Sequence, residues 1–146
     1  MEKIQLTTAI FREMSIIHER MDAILKVNLP AELPTTQFKL LNHLMYTTNT
    51  DETASQLASN SHVSLSAMSQ VIKQLSNKGF VELKTRSQDA RKKTIIITKL
   101  GRRFHQNAIA NIDIDIEGFS NKFNQVDMQK LYKLCNKFRL HFEEHT

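Results

Sequence analysis

Ser66, Gln70 and Lys73 carry the first recognisable chemistry in this chain. A glutamine amide can pair with an adenine edge, a serine hydroxyl suits several bases, and a lysine reaches guanine or phosphate. On a helix over residues 64–77, with roughly 3.6 residues per turn, they point away from Leu65, Met68, Val71, Ile72 and Leu75. Ser69 and Gln74 flank them. Ser64 caps the helix, whose first N–H groups suit a phosphate. The face has no acid and no bulky apolar residue, so a duplex could approach it closely. For an isolated helix, a soluble surface is the plainer reading. The next segment reverses that preference, because Arg86, Asp89, Arg91, Lys92 and Lys93 fall between two β-prone runs. An arginine at a hairpin tip can enter the minor groove, where negative potential is focused. Asp89 can orient the Arg91 guanidinium by a charge-assisted bond or simply begin a bend.

These side chains need a helix pair and a hairpin to hold them. Residues 53–59 form a short helix with Ala54, Leu57 and Ala58 inward, capped by Asp51 or Thr53. Residues 60–63 are a turn, and the reading helix follows. Two short helices around a tight turn are the core of a helix-turn-helix. Gly79 stands where a left-handed residue closes the second helix. The period then changes. Residues 80–85 alternate as a strand, residues 86–92 are a charged loop, and residues 93–98 form a β-branched second strand. Flanking helices are expected over residues 5–27, 36–46, 99–122 and 126–143, with apolar stripes at helical spacing. Asn124 and Asp127 resemble a capping box. The expected fold is mainly α with a small β-hairpin wing, in the order α1-α2-α3-α4-β-wing-β-α5-α6.

Composition agrees. The 146 residues suit a single domain, and three glycines with two prolines favour helices. The net charge is +5, unevenly spread. Residues 60–103 hold ten basic and two acidic residues, leaving ten basic and thirteen acidic elsewhere. Such a concentration is a footprint for a polyanion, or a solvated basic face. No apolar run is long enough for a membrane span, and the N-terminus lacks a signal-peptide layout, so the expected compartment is the cytoplasm. No Gly-rich phosphate loop, paired cysteine ligands or nucleophile elbow suggests an enzyme. A winged-helix interaction module would place acids or apolar residues on the exposed reading face beside a neutral wing. Neither is seen.

The chain resembles the MarR family of bacterial regulators. The likeness rests on Gln37-Phe38-x-Leu40-Leu41, Thr53-Ala54-Ser55-Gln56-Leu57-Ala58, Val63-Ser64-Leu65-Ser66-Ala67-Met68-Ser69 and Leu75-Ser76-Asn77-Lys78-Gly79-Phe80-Val81. Most specific is Asp89-Ala90-Arg91-Lys92-Lys93 leading into Ile97-Thr98-Lys99-Leu100-Gly101. The resemblance implies a single MarR-type domain over residues 1–146. Within it lie a winged helix-turn-helix lobe at about 36–100 and dimerisation helices at about 1–28 and 102–146. It implies a homodimer on double-stranded DNA, probing a pseudo-palindrome with the 64–77 helix in the major groove and Arg91, held by Asp89, in the minor groove. Repression is the family default.

It also implies a small aromatic or phenolic effector, bound where the dimer helices meet the reading unit. Phe11, Met14, His18, His43, Met45 and Phe104 could line that cavity. Plain core is their simpler reading. No cysteine lies near the start of the first helix, where oxidant-sensing relatives carry one. Cys135, on the last apolar stripe, is expected to be a small buried hydrophobe. His18, His43 and His105 lack the spacing of a metal motif, so no cofactor or metal is expected.

Overall fold

Scarce helix breakers yield a helix-rich chain with one hairpin. The computed structural model describes residues 2–86 and 89–145, without the side chains of Arg86, Ala90, Asp113, Ile114, Asp115 and His145. Its elements are α1 (Lys3–Asn28), α2 (Thr35–Tyr46), α3 (Ala54–Asn60), α4 (Leu65–Asn77), β1 (Val81–Arg86), β2 (Asp89–Ile97), α5 (Lys99–Ser120) and α6 (Gln125–His145). β1 and β2 pair antiparallel. Among the described residues, no helix is long and apolar enough to cross a membrane.

Local chemistry sets the boundaries. Thr53, rather than Asp51, caps α3: its Oγ1 accepts the Gln56 N–H (3.3 Å) while Gln56 Oε1 accepts the Thr53 N–H (2.9 Å). Ser64 Oγ accepts the Ala67 N–H (3.0 Å) and starts α4. Gly79, at φ 77°, ends α4 in a Schellman turn, with the Phe80 N–H on Leu75 O and the Gly79 N–H on Ser76 O, both 2.9 Å. α3 ends the same way on His62, at φ 53°, with the Val63 N–H on Ala58 O (3.1 Å). At α6, Asn124 Oδ1 accepts the Asp127 N–H (2.8 Å) as expected, while Asp127 Oδ2 accepts the Asn124 side-chain amide (2.6 Å) in place of its backbone N–H.

The chain divides into two compact units, Met1–Ile112 and Asp113–Thr146. In the first, Leu41 and Leu44 of α2, Leu57 of α3, and Met68, Ile72 and Leu75 of α4 share a core with Phe80, Val81, Ile95, Ile97, Ala108 and Ile112. The wing root is thus packed into the same core as the helix pair. Its junction with α5 depends on Thr98, whose hydroxyl donates to Gly79 O (2.6 Å) and accepts the Gly101 N–H (3.1 Å). The Thr98 N–H also donates to Phe80 O (3.0 Å).

α1 has no buried residue among those described, and its Ile17 and Met21 are exposed. In the second unit Leu131 and Leu134 of α6 are likewise exposed. Cys135 is exposed too, contrary to expectation. Helical phase places it on an apolar stripe, but so small a unit cannot enclose that stripe.

Candidate nucleic-acid interface

α4 separates its two faces as its phase predicts, with one exception. Met68, Ile72 and Leu75 are buried and Val71 is half-buried, whereas Leu65 is 50% exposed. Phase gives direction and not depth: Leu65 opens the first turn, ahead of the part packed on the core. Ser66, Ser69, Gln70 and Lys73 are exposed on the opposite side. None of these four makes a side-chain hydrogen bond among the described residues, so their donors and acceptors face solvent unengaged.

Gln74 differs. Its Oε1 accepts Gln37 Nε2 (3.0 Å), and Gln37 Oε1 accepts Lys78 Nζ (2.6 Å). Lys78 Nζ also donates to Glu32 O. An ammonium only donates, so it fixes the orientation of the Gln37 amide and the polarity of the whole relay. Gln37 is buried. Expected at the DNA face, Gln74 has its amide oxygen tied to α2 and thereby sets the rotation of α4 about its axis.

The wing is more strand and less loop than its charge suggested. β2 begins at Asp89, so Asp89, Arg91 and Lys92 lie within a strand. The ladder runs from Val81↔Ile97 to Thr85↔Lys93 and resumes at Arg86↔Asp89, leaving Ala90, Arg91 and Lys92 in a register shift. Extra residues on one strand bend it and re-aim their side chains, which is how a charged stretch remains paired yet projects. Asp89 Oδ1 accepts the backbone N–H of Arg91 (3.0 Å). No ion pair between these two side chains occurs among the described residues, so the acid shapes the wing backbone and leaves the guanidinium unclamped. Arg91, Lys92 and Lys93 are exposed. Of Arg86, only the backbone lies within the described structure.

The six residues expected near an effector are dispersed in character. Met45 and Phe104 pack against the core, and Phe104 lies against Phe80 with ring centroids 4.5 Å apart. Met14 is half-buried and Phe11 is exposed. His18 is exposed near Asp22 (3.7 Å), whose carboxyl is held below its ordinary value, first by the hydrogen bond from Lys39. His43 Nε2 lies 2.7 Å from Glu52 Oε1. Among the described residues, no three His, Cys, Asp or Glu side chains group to hold a metal.

His105 is fully buried, stacked on Phe38, with Nε2 2.9 Å from Asn42 Oδ1 and, among the described residues, no partner for Nδ1. Burial depresses its pKa below the ordinary 6.5. The unfolded chain then takes up a proton that the folded chain refuses. Stability is full above the unfolded value and declines as pH falls from there towards the folded one. Urea midpoints are expected to drop between about pH 7.5 and about pH 5, less so in His105→Gln; equal slopes in both proteins would assign the pH effect elsewhere.

Periodicity missed three buried polar residues, Gln37, Glu52 and Thr94. Gln37 opens one recognisable motif and Glu52 precedes another, yet composition assigns both types to the surface.

Residues 33–93 match the model of the MarR family. No curated protein matches the chain in sequence. Among solved structures, the transcriptional regulator BldR from Sulfolobus solfataricus is 20% identical, with a TM-score of 0.74 over 94% of this chain and 99% of its own. The apo form of MarR from E. coli is 21% identical, with a TM-score of 0.70 over 87% and 94% respectively. The PcaV transcriptional regulator from Streptomyces coelicolor, in complex with its natural ligand, is 16% identical, with a TM-score of 0.67 over 95% and 97%. The fold is therefore that of the MarR winged-helix structures.

Proposed function

We propose that this chain, whose residues 33–93 match the model of the MarR family, is a homodimeric repressor that occludes promoters by binding a pseudo-palindromic operator. MarR-family proteins are transcription regulators, not enzymes. The observation that carries the proposal is the α4 face of Ser66, Ser69, Gln70 and Lys73, exposed and unengaged beside a basic hairpin. In this reading α4 enters the major groove, Gln70 contacts a base edge, Lys73 contacts a base or phosphate, and a phosphate meets Ser64 and the first-turn N–H groups of α4 that the Ser64 cap does not take. Arg91 enters the flanking minor groove from the shifted register of β2, with Lys92 on the backbone and Arg86 on the opposing strand. The twofold arrangement places the half-sites about one helical turn apart.

The apolar residues exposed on α1 and on α6 support a second copy as their cover. Release by a small aromatic or phenolic effector completes the proposal. PcaV, of the same fold, is held with its natural ligand, and Met45, Phe104 and His43 offer apolar and polar surface for one here. The place of action is the cytoplasm.

Selection of bound sequences from random double-stranded DNA tests the proposal. An inverted repeat with half-site centres about 10 base pairs apart is expected, bound by two chains per site. Recovery of no consensus would overturn operator reading. A monomer that binds a single half-site would overturn the dimer.

A further inference from the structure

A carboxylate is rarely buried unless its oxygens are paired. Glu52 is only 3% exposed and lies outside the face proposed to meet DNA. Its Oε1 lies 2.7 Å from His43 Nε2 and accepts Thr47 Oγ1 (3.1 Å), and its Oε2 accepts Asn60 Nδ2 (3.2 Å). An ionised carboxylate only accepts, so His43 donates from Nε2 and Asn60 presents its NH2. The main chain of the same residue reaches a third direction. Glu52 O accepts the Ile95 N–H (3.0 Å), and the adjoining Thr53 pairs with Thr94. One residue thus joins the last turn of α2, the segment after it, the end of α3 and the root end of β2. Asn60 is the last residue of α3, where the turn into α4 begins. Ile95 is on the strand that carries Arg91.

We propose that Glu52 is a positioning residue for operator binding: its carboxylate ties its own segment, whose main chain pairs with the root of the wing, to α2 and to the end of α3, and so sets where Arg91 falls relative to α4. The proposal rests on the operator-binding reading above. It makes hydrogen bonding, and not charge, the working property of Glu52. Glu52→Gln keeps an acceptor for His43 and Thr47, and a flip of the Asn60 amide lets its oxygen accept the new NH2. Glu52→Ala orphans all three donors.

The test is a double-mutant cycle on the selected operator, with Arg91→Ala made in the wild-type and Glu52→Ala backgrounds of the full-length protein. In the wild type, Arg91→Ala is expected to weaken binding about tenfold and to remove hydroxyl-radical protection in the flanking minor grooves. In Glu52→Ala that protection is already lost, while methylation interference at major-groove guanines persists. Adding Arg91→Ala then costs less than about twofold. Glu52→Gln restores both the protection and the full Arg91 penalty. If Glu52→Ala does not fold, Thr47→Val and Asn60→Ala each remove one donor and are expected to shrink the Arg91 penalty partway. An undiminished Arg91 penalty in the folded Glu52 or single-donor variants overturns the proposal, as does Glu52→Gln behaving like Glu52→Ala. A wild type insensitive to Arg91→Ala instead overturns the minor-groove role on which the proposal rests.

Discussion

Adding one methyl group at Gly101 is expected to destabilise the fold by about 3 kcal/mol, at the upper end of the usual cost of overpacking. A Cβ at Gly101 would lie 2.2 Å from Phe80 O and 3.0 Å from Ile97 Cγ1. The first neighbour is backbone, held by the Thr98 N–H and by the Schellman turn that ends α4, so it cannot rotate aside. A competing effect favours the substitution, since alanine is better than glycine inside a helix by about 1 kcal/mol. The clash outweighs it, because relief requires α5 to move away from the wing root and so breaks the Thr98 contacts to Gly79 and Gly101. Urea unfolding monitored by circular dichroism measures the change. A loss below about 0.5 kcal/mol would mean that α5 accommodates the methyl group and that the Thr98–Gly101 clasp does not fix this junction.

Charge reversal at Lys73 is expected to abolish operator binding at ordinary salt, with affinity falling roughly 100-fold or more. The residue sits on the exposed side of α4 without a side-chain partner among the described residues, so Lys73→Glu leaves the core untouched. On DNA it sets a carboxylate against phosphates, and such like-charge juxtaposition costs several kcal/mol, where about 2.7 kcal/mol already equals that factor. Lys3→Glu, on α1, changes net charge equally and separates a local contact from a global field. The wild-type affinity is expected to fall steeply with salt, each neutralised phosphate adding about 0.9 to the logarithmic slope. If Lys73→Glu and Lys3→Glu weaken binding equally, Lys73 acts only through net charge and has no place in the interface.

Much of this arrangement could be read from residue types and spacing, because those properties respond to short-range physics. The cap at Ser64, the left-handed Gly79 and the two faces of α4 all follow from local geometry. Where depth mattered, the pattern failed: Leu65 and Cys135 have the right phase but too little around them. The wing failed differently. Its charges suggested a loop, yet β2 takes in Asp89 to Lys92, with Asp89 paired to Arg86 and a register shift before Lys93 that no alternation pattern encodes. The Thr98–Gly101 spacing was recognisable as a family feature, but its reason, the approach of a helix start to Phe80 O, needs three dimensions. Gln37, Glu52 and His105 were the least legible. Each is polar and buried; Gln37 and His105 depend on partners from distant parts of the chain, and Glu52 on three nearby side chains that a turn folds back around it.

Base reading by α4 is tested most directly by fluorescence anisotropy on the selected operator, its single-base variants and a scrambled duplex, for the wild type and Gln70→Ala. The wild type is expected to prefer the operator by roughly 1,000-fold or more. Gln70→Ala is predicted to lose discrimination at one base position in each half-site while keeping the wild-type salt slope. Equal wild-type affinity for operator and scrambled DNA, with Gln70→Ala indistinguishable from it, would contradict the account.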